Sequence, residues 1–231
     1  MTYEEIIKTL NKNANPKNVA GMARFGINPK NTLGVSIPNL RKLAREISKQ
    51  PHFAKASRGR HQLALKLWSS NIHEARILAG MIEVPELVTG AQMDSWAADF
   101  DSWDVCDQVC MNLFDKTTYA YEKAKEWAGS DKEFVKRAGF ALMACLAWHD
   151  KNVSDEKFKP FFSLIKKYST DERNFVKKAV NWALRQIGKR SLSLREQSKK
   201  IAEEIIKSYP NSKSAKWVAS DAIRELKSKK F

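Results

Sequence analysis

Phe134-Val135-Lys136-Arg137-Ala138 and Phe175-Val176-Lys177-Lys178-Ala179 are two versions of one phrase, set 41 residues apart in a chain of 231. Each follows a Ser/Thr-Asp pair, Ser130-Asp131 and then Thr170-Asp171, which reads as the cap of a helix. A period near forty with two helices per unit fits HEAT-type stacking, in which neighbouring pairs of helices bury a shared apolar face. In this reading Phe134, Ala138, Phe175 and Ala179 are packing positions, while Lys136, Arg137, Lys177 and Lys178 lie on or beside the exposed face.

The chain on either side keeps the same helical period. Thr2 followed by Glu5 forms a capping box ahead of Tyr3 to Leu10. Asn15-Pro16 starts a short helix through Phe25, which Gly26-Ile27-Asn28-Pro29 breaks. Pro38 suits the first turn of a helix to about Ser48, and Gln50-Pro51 ends it. Further helices are expected over His61–Ser69, Ile72–Val84, Met93–Ala98, Trp103–Phe114, Thr117–Ala128 and Lys132–Trp148, with a short segment from Pro85 to Thr89. Asp155–Tyr168 turns Phe158, Phe161, Phe162 and Ile165 inward; Asp171–Gly188, Leu194–Ser208 and Ser214–Lys229 complete the series. No run of strict apolar/polar alternation bounded by turns occurs. The expected fold is all-α: one helical-repeat domain over 1–231, a HEAT-like solenoid with a concave, basic face.

Charge is lopsided. Lys and Arg number 41 against 26 Asp and Glu, a net of +15, which favours a polyanionic partner such as nucleic acid or an acidic membrane surface. The N-terminus carries Glu4 and Glu5 where a secretory signal would be basic and then apolar. The longest apolar stretch, Ala138 to Trp148, is too short to cross a bilayer. Three cysteines and four scattered histidines fit neither a disulfide framework nor a zinc site. A monomer in the cytoplasm with no metal or cofactor is the resulting expectation.

Chemistry concentrates in Asp101-Ser102-Trp103-Asp104-Val105-Cys106-Asp107. Trp103 and Asp107 are four apart and share one face of a helix, an indole beside a carboxylate, which together attract a cation. Taken alone, Trp103 is better explained as a core indole; its place just after Asp101-Ser102 weakens that reading, and Asp107 beside the apolar stripe of Val105, Val109 and Cys110 needs a partner or a task. Asp104, in the first turn, is explained by the helix dipole. On the second repeat phrase Phe175, Ala179 and Trp182 form a stripe flanked by Lys177, Lys178 and Arg185. A solvated basic face with one core tryptophan accounts for this; so does phosphate contact around a stacked base or sugar. Trp68, Trp127, Trp148 and Trp217 read as packing, and Trp96 is ambiguous.

Four segments resemble the AlkD-type DNA alkylation-repair glycosylases: Met22-Ala23-Arg24-Phe25, Leu33 to Arg41, Ser102 to Asp107, and Phe175 to Arg185. The patterns Ser-Trp-Asp-x-x-Asp and Lys-Ala-x-x-Trp-x-Leu-Arg carry most of the likeness, which runs to at least Lys189. The resemblance implies a HEAT-like protein that excises positively charged N3- and N7-alkylated purines from duplex DNA. It assigns Asp107 as the catalytic carboxylate and sets Trp103 and Trp182 against the deoxyribose. Arg137 and Arg185 become backbone contacts, with Lys177, Lys178, Phe175 and Lys189 beside them. It further implies that the base stays largely stacked instead of being flipped. Phe25 and Ser36 stand where the family has Tyr and Gln, so lesion range is less defined than the chemistry. Two other readings share the charge: a non-catalytic helical-repeat protein for distorted or branched DNA, which does not need Asp107, and a scaffold for an acidic protein.

Overall fold

The computed structural model describes residues 1–50 and 57–228, and among these every regular element is a helix. The expected stop at Pro51 and the expected last helical residue, Lys229, lie outside the described residues. The chain forms two compact units, Met1–Thr117 and Thr118–Phe231.

The first unit holds α1 (Tyr3–Lys12), α2 (Pro16–Arg24), α3 (Ile37–Ser48), α4 (Ser57–Ser69), α5 (His73–Ile82), α6 (Gly90–Ala98) and α7 (Trp103–Asn112). Its local signals act as the sequence predicts. Thr2 Oγ1 accepts from the Glu5 amide at 3.3 Å while Glu5 Oε2 accepts from the Thr2 amide at 2.8 Å, closing the capping box. Asn15 Oδ1 accepts from the amides of Lys17 and Asn18 at the start of α2, whose first residue is Pro16. α5 is the central element, packed on α3, α4 and α7, with Ile77, Leu78 and Ile82 buried. Trp68 and Trp96 stack with centroids 4.0 Å apart and are both buried, which places Trp96 in the core. The predicted helix to Phe114 ends earlier, at Asn112, because Leu113 takes a non-helical conformation; a 3-10 turn over Phe114–Lys116 follows.

The second unit contains α8 (Ala120–Ala128), α9 (Glu133–His149), α10 (Lys159–Tyr168), α11 (Asn174–Gly188), α12 (Leu192–Ser208) and α13 (Lys213–Ser228). These pair as α8/α9, α10/α11 and α12/α13, while α9, α11 and α13 pack side by side as one layer. That is the two-helix repeat predicted from the 41-residue period. Phe158, Phe161, Phe162 and Ile165 are buried as expected. Gly139 lets α9 approach α8 closely, since a Cβ there would sit 2.4 Å from the Ala128 nitrogen.

Three expectations need correction. Lys136 and Arg137 are not on an exposed face but are each only 6% exposed. Lys136 lies over the Tyr168 ring and 3.4 Å from Asp171; Arg137 Nη1 donates to the Phe175 carbonyl at 2.6 Å. Both cations thus tie α9 to the following repeat. The Ser/Thr-Asp pairs are not the caps: the N-cap residues are Lys132 and Arg173, whose side chains make no capping bond. The backbone carbonyls of Asp131 and Asp171 instead accept from Arg173 Nη1 at 2.7 Å and Ser214 Oγ at 2.7 Å, the same tie made at two successive repeat junctions. Finally, Trp148 and Trp217 are not core residues, being 50% and 40% exposed.

Candidate functional site

In the first unit a cavity of about 590 Å³ opens between α2, the 33–37 loop, α5 and α7. Its wall is apolar at Met22, Phe25, Ile27, Val35, Ile37 and Ile77 and polar at His73, Glu74, Asp104 and Gln108. Trp103 joins the wall and is held there: its indole Nε1 donates to the Phe25 carbonyl at 3.0 Å. Phe25 itself is 75% exposed, an aromatic ring at the rim with little packing of its own.

The loop side of the cavity is built on one buried carboxylate. Glu74 accepts from the amides of Leu33 (2.9 Å), Gly34 (2.6 Å) and Val35 (3.1 Å). Three backbone donors aimed at one charge explain how a carboxylate that is 1% exposed is accommodated. Gly34 is required at this point, with φ +79° and the Asn15 carbonyl oxygen only 2.2 Å from where a Cβ would be. Ser36 follows the cradle as the exposed N-cap residue of α3, its hydroxyl making no capping bond.

α7 presents two neighbouring polar stripes. Trp103 and Asp107 lie one turn apart and are both half-buried; Asp104 and Gln108 lie one turn apart on the side that walls the cavity. Asp107 itself is not part of the cavity wall. Ser102 ends up as the N-cap, but its hydroxyl turns to the Asn28 amide at 3.2 Å, and Asp101 accepts from Asn28 Nδ2 at 2.8 Å. The start of α7 is thereby fixed to the turn that ends α2.

Asp104 does more than meet a helix dipole. Its Oδ2 lies 2.8 Å from His73 Nε2, whereas Oδ1 is buried without a hydrogen-bond partner. Burial alone would push the His73 pKa down, but the Asp104 hydrogen bond and the charges of Asp104, Glu74 and Asp101 outweigh it and raise the value. Sequence reasoning missed His73 and Glu74 as site residues. Their partners lie 31 and about 40 residues away along the chain, and no local spacing announces them.

In the second unit α11 carries the remaining expected residues. Trp182 is half-buried. Phe175 is half-buried against Phe134, centroids 5.5 Å apart. Arg185 is engaged internally, with Nε 2.8 Å from Asn181 Oδ1 and Nη1 on Glu225; Lys189 also lies on Glu225. Burial tends to raise the Glu225 pKa, but hydrogen bonds from Lys189 and Arg185 reverse this and lower it. Lys178 is exposed, and the Lys177 ammonium lies 5.5 Å from the centroid of the Trp217 ring. Among the described residues no group of three His, Cys, Asp or Glu side chains is placed to hold a metal ion, and no helix is long and apolar enough to cross a membrane.

A family model described as "DNA alkylation repair enzyme" matches residues 6–226. No curated protein matches the sequence. One solved structure superposes with a TM-score of 0.75 at 19% identity, covering 88% of this chain and 83% of the other. It is described as belonging to "a new family of proteins related to the HEAT-like repeat DNA glycosylases with affinity for branched DNA structures". At that identity the likeness concerns the fold, and it agrees with the helical repeats seen here.

Proposed function

We propose that this chain, which belongs to the DNA alkylation repair enzyme family, hydrolyses the N-glycosidic bond of N3- or N7-alkylated purines in duplex DNA. The observation that carries the reading is the family match across residues 6–226. The one-turn spacing of half-buried Trp103 and Asp107 on α7 supports the choice of residues.

Such a purine already bears a positive charge, so it departs as a neutral base without protonation. The C1′–N bond breaks with its electron pair going to the base, and the sugar is left as an oxocarbenium-like cation. Asp107 stabilises that cation and orients the water whose oxygen bonds to C1′. The water's proton passes to the carboxylate and then to solvent. A single committed carboxylate suffices because no leaving group needs a proton, unlike the carboxylate pairs of most glycosidases. The Trp103 ring, fixed by the Phe25 carbonyl, offers a face whose attraction strengthens as positive charge develops. Trp182, in the second unit, is assigned as an aromatic contact to the same DNA, with exposed Lys178 as a phosphate contact.

A second reading has its own support. The solved neighbour is described as having affinity for branched DNA, and such a role would leave Asp107 without chemical work. Incubation of the protein with duplex DNA containing N7-methylguanine and N3-methyladenine, followed by identification of released bases, separates the two. Free alkylpurine above the spontaneous rate supports the glycosylase. Tight binding of a four-way junction with no base release supports the second reading.

A further inference from the structure

Positive charge in the second unit falls into two populations. Lys136, Arg173, Arg185, Lys189 and Arg190 each lie on a carboxylate: Asp171 for the first two, Glu225 for the next two, Asp155 for the last. Lys177, Lys178, Lys213 and Lys216 make no ion pair with a carboxylate among the described residues. They are not the unit's only such cations, but these four lie on the two helices, α11 and α13, that meet at Trp217. The Lys177 ammonium is 5.5 Å from the ring centroid. Lys213 lies one helical turn before Trp217 on the same side of α13, Lys216 adjoins it in sequence, and Lys178 adjoins Lys177; Lys178, Lys213 and Lys216 are exposed. The nearest acidic group on that side of α13, Asp221, is engaged by Arg185 and Arg224.

The indole is outside the core for a structural reason. α13 buries Ala215, Val218, Ala219, Ala222 and Leu226, and Trp217 projects away from that stripe with 40% of its surface exposed. Its backbone is nevertheless fixed. Asn181 Nδ2 donates to the Val218 carbonyl at 3.0 Å, and Ser214 Oγ donates to the Asp171 carbonyl at 2.7 Å. An exposed indole on a fixed backbone, with one ammonium at its ring and exposed lysines adjoining it in sequence or one turn away, suits a partner with flat rings on a chain of negative charges.

We propose that Trp217, with Lys177, Lys178, Lys213 and Lys216, is a contact surface for single-stranded DNA, stacking an unpaired base on the indole and seating its phosphates against the lysines. A duplex hides its base faces in the stack, so only an unpaired base can use the ring; a bare phosphate or an acidic peptide would leave the ring without a partner. The proposal takes its ligand class from the function proposed above but not its chemistry, and it needs neither Asp107 nor Trp182.

The test is binding of a fluorescent oligothymidylate, by anisotropy over a series of salt concentrations, alongside an unmodified duplex. Trp217→Ala should weaken oligothymidylate binding about tenfold or more, the loss expected for one base–aromatic stack, and Trp217→Phe should recover most of it. Lys213→Gln/Lys216→Gln should make the dependence of log K on log salt shallower by about 1.4, two single-strand phosphate contacts. Lys8→Gln/Lys12→Gln, the same charge removed from the exposed face of α1, should leave the slope closer to wild type. Equal effects from both lysine pairs, or unchanged binding by Trp217→Ala, would overturn the surface. Duplex binding without oligothymidylate binding by the wild-type protein would also overturn it while leaving the proposed function standing. Absence of binding to either DNA would remove both.

Discussion

Asp104 and Asp107 are three residues apart on α7, and their surroundings give them different tasks. Asp104 is committed to His73 at 2.8 Å, so its charge is part of the architecture of the cavity wall. The raised His73 pKa makes this a stability element with a defined pH window. Because the folded value lies above the ordinary 6.5, the contribution is complete below about pH 6.5 and is lost as pH rises through the folded value. Urea unfolding of wild type and Asp104→Asn should therefore show its largest gap in midpoint near pH 6 and a smaller gap at pH 9. Arg137 makes a similar point. Its pattern reads as a phosphate contact, yet the side chain is 6% exposed and bonded to the Phe175 carbonyl. Arg137→Ala should cost about 1.5–3 kcal/mol in denaturant unfolding, the value of a buried bond to a charged donor, and leave the salt slope of DNA binding unchanged. A residue's type and spacing were legible in both cases. What each side chain met was not, because the partner lies 31 to 38 residues away.

Elements whose signals are local came out as read. Thr2 with Glu5, and Asn15 ahead of Pro16, meet the orphan amides of a helix start within a few residues, so sequence spacing alone defines them. Ser130-Asp131 and Thr170-Asp171 look the same on paper but face a neighbouring repeat, and that contact decided their use. The loop over residues 33–35 shows the strongest dependence on a distant group. Replacing Glu74 by Ala would leave three amide donors without their carboxylate, and the expected loss is about 3 kcal/mol or more in unfolding experiments. Trp103 lines the same cavity from α7, so the variant should also alter the quenching of its fluorescence by acrylamide. A loss under 1 kcal/mol would show that water replaces the carboxylate.

For the whole molecule, the sequence period near forty was the most informative feature, and in the second unit polar ties at separations of 42 and 43 residues join successive repeats at that spacing. The net charge of +15 was equally legible, but not its partition between paired and unpaired cations. That partition sets the expected salt dependence of duplex binding. With six phosphate contacts, affinity should fall about a thousandfold between roughly 50 and 200 mM salt. A slope near zero in the same titration would argue against a DNA backbone contact altogether.

Asp107 carries the proposed chemistry, and a paired experiment tests it: single-turnover release of N7-methylguanine from duplex DNA by wild type and Asp107→Asn, with duplex affinity measured on the same samples. Asp107→Asn should keep its affinity and release the base at least about a hundredfold more slowly, the usual effect of removing one preorganised electrostatic group. Equal release rates at equal affinity would contradict it.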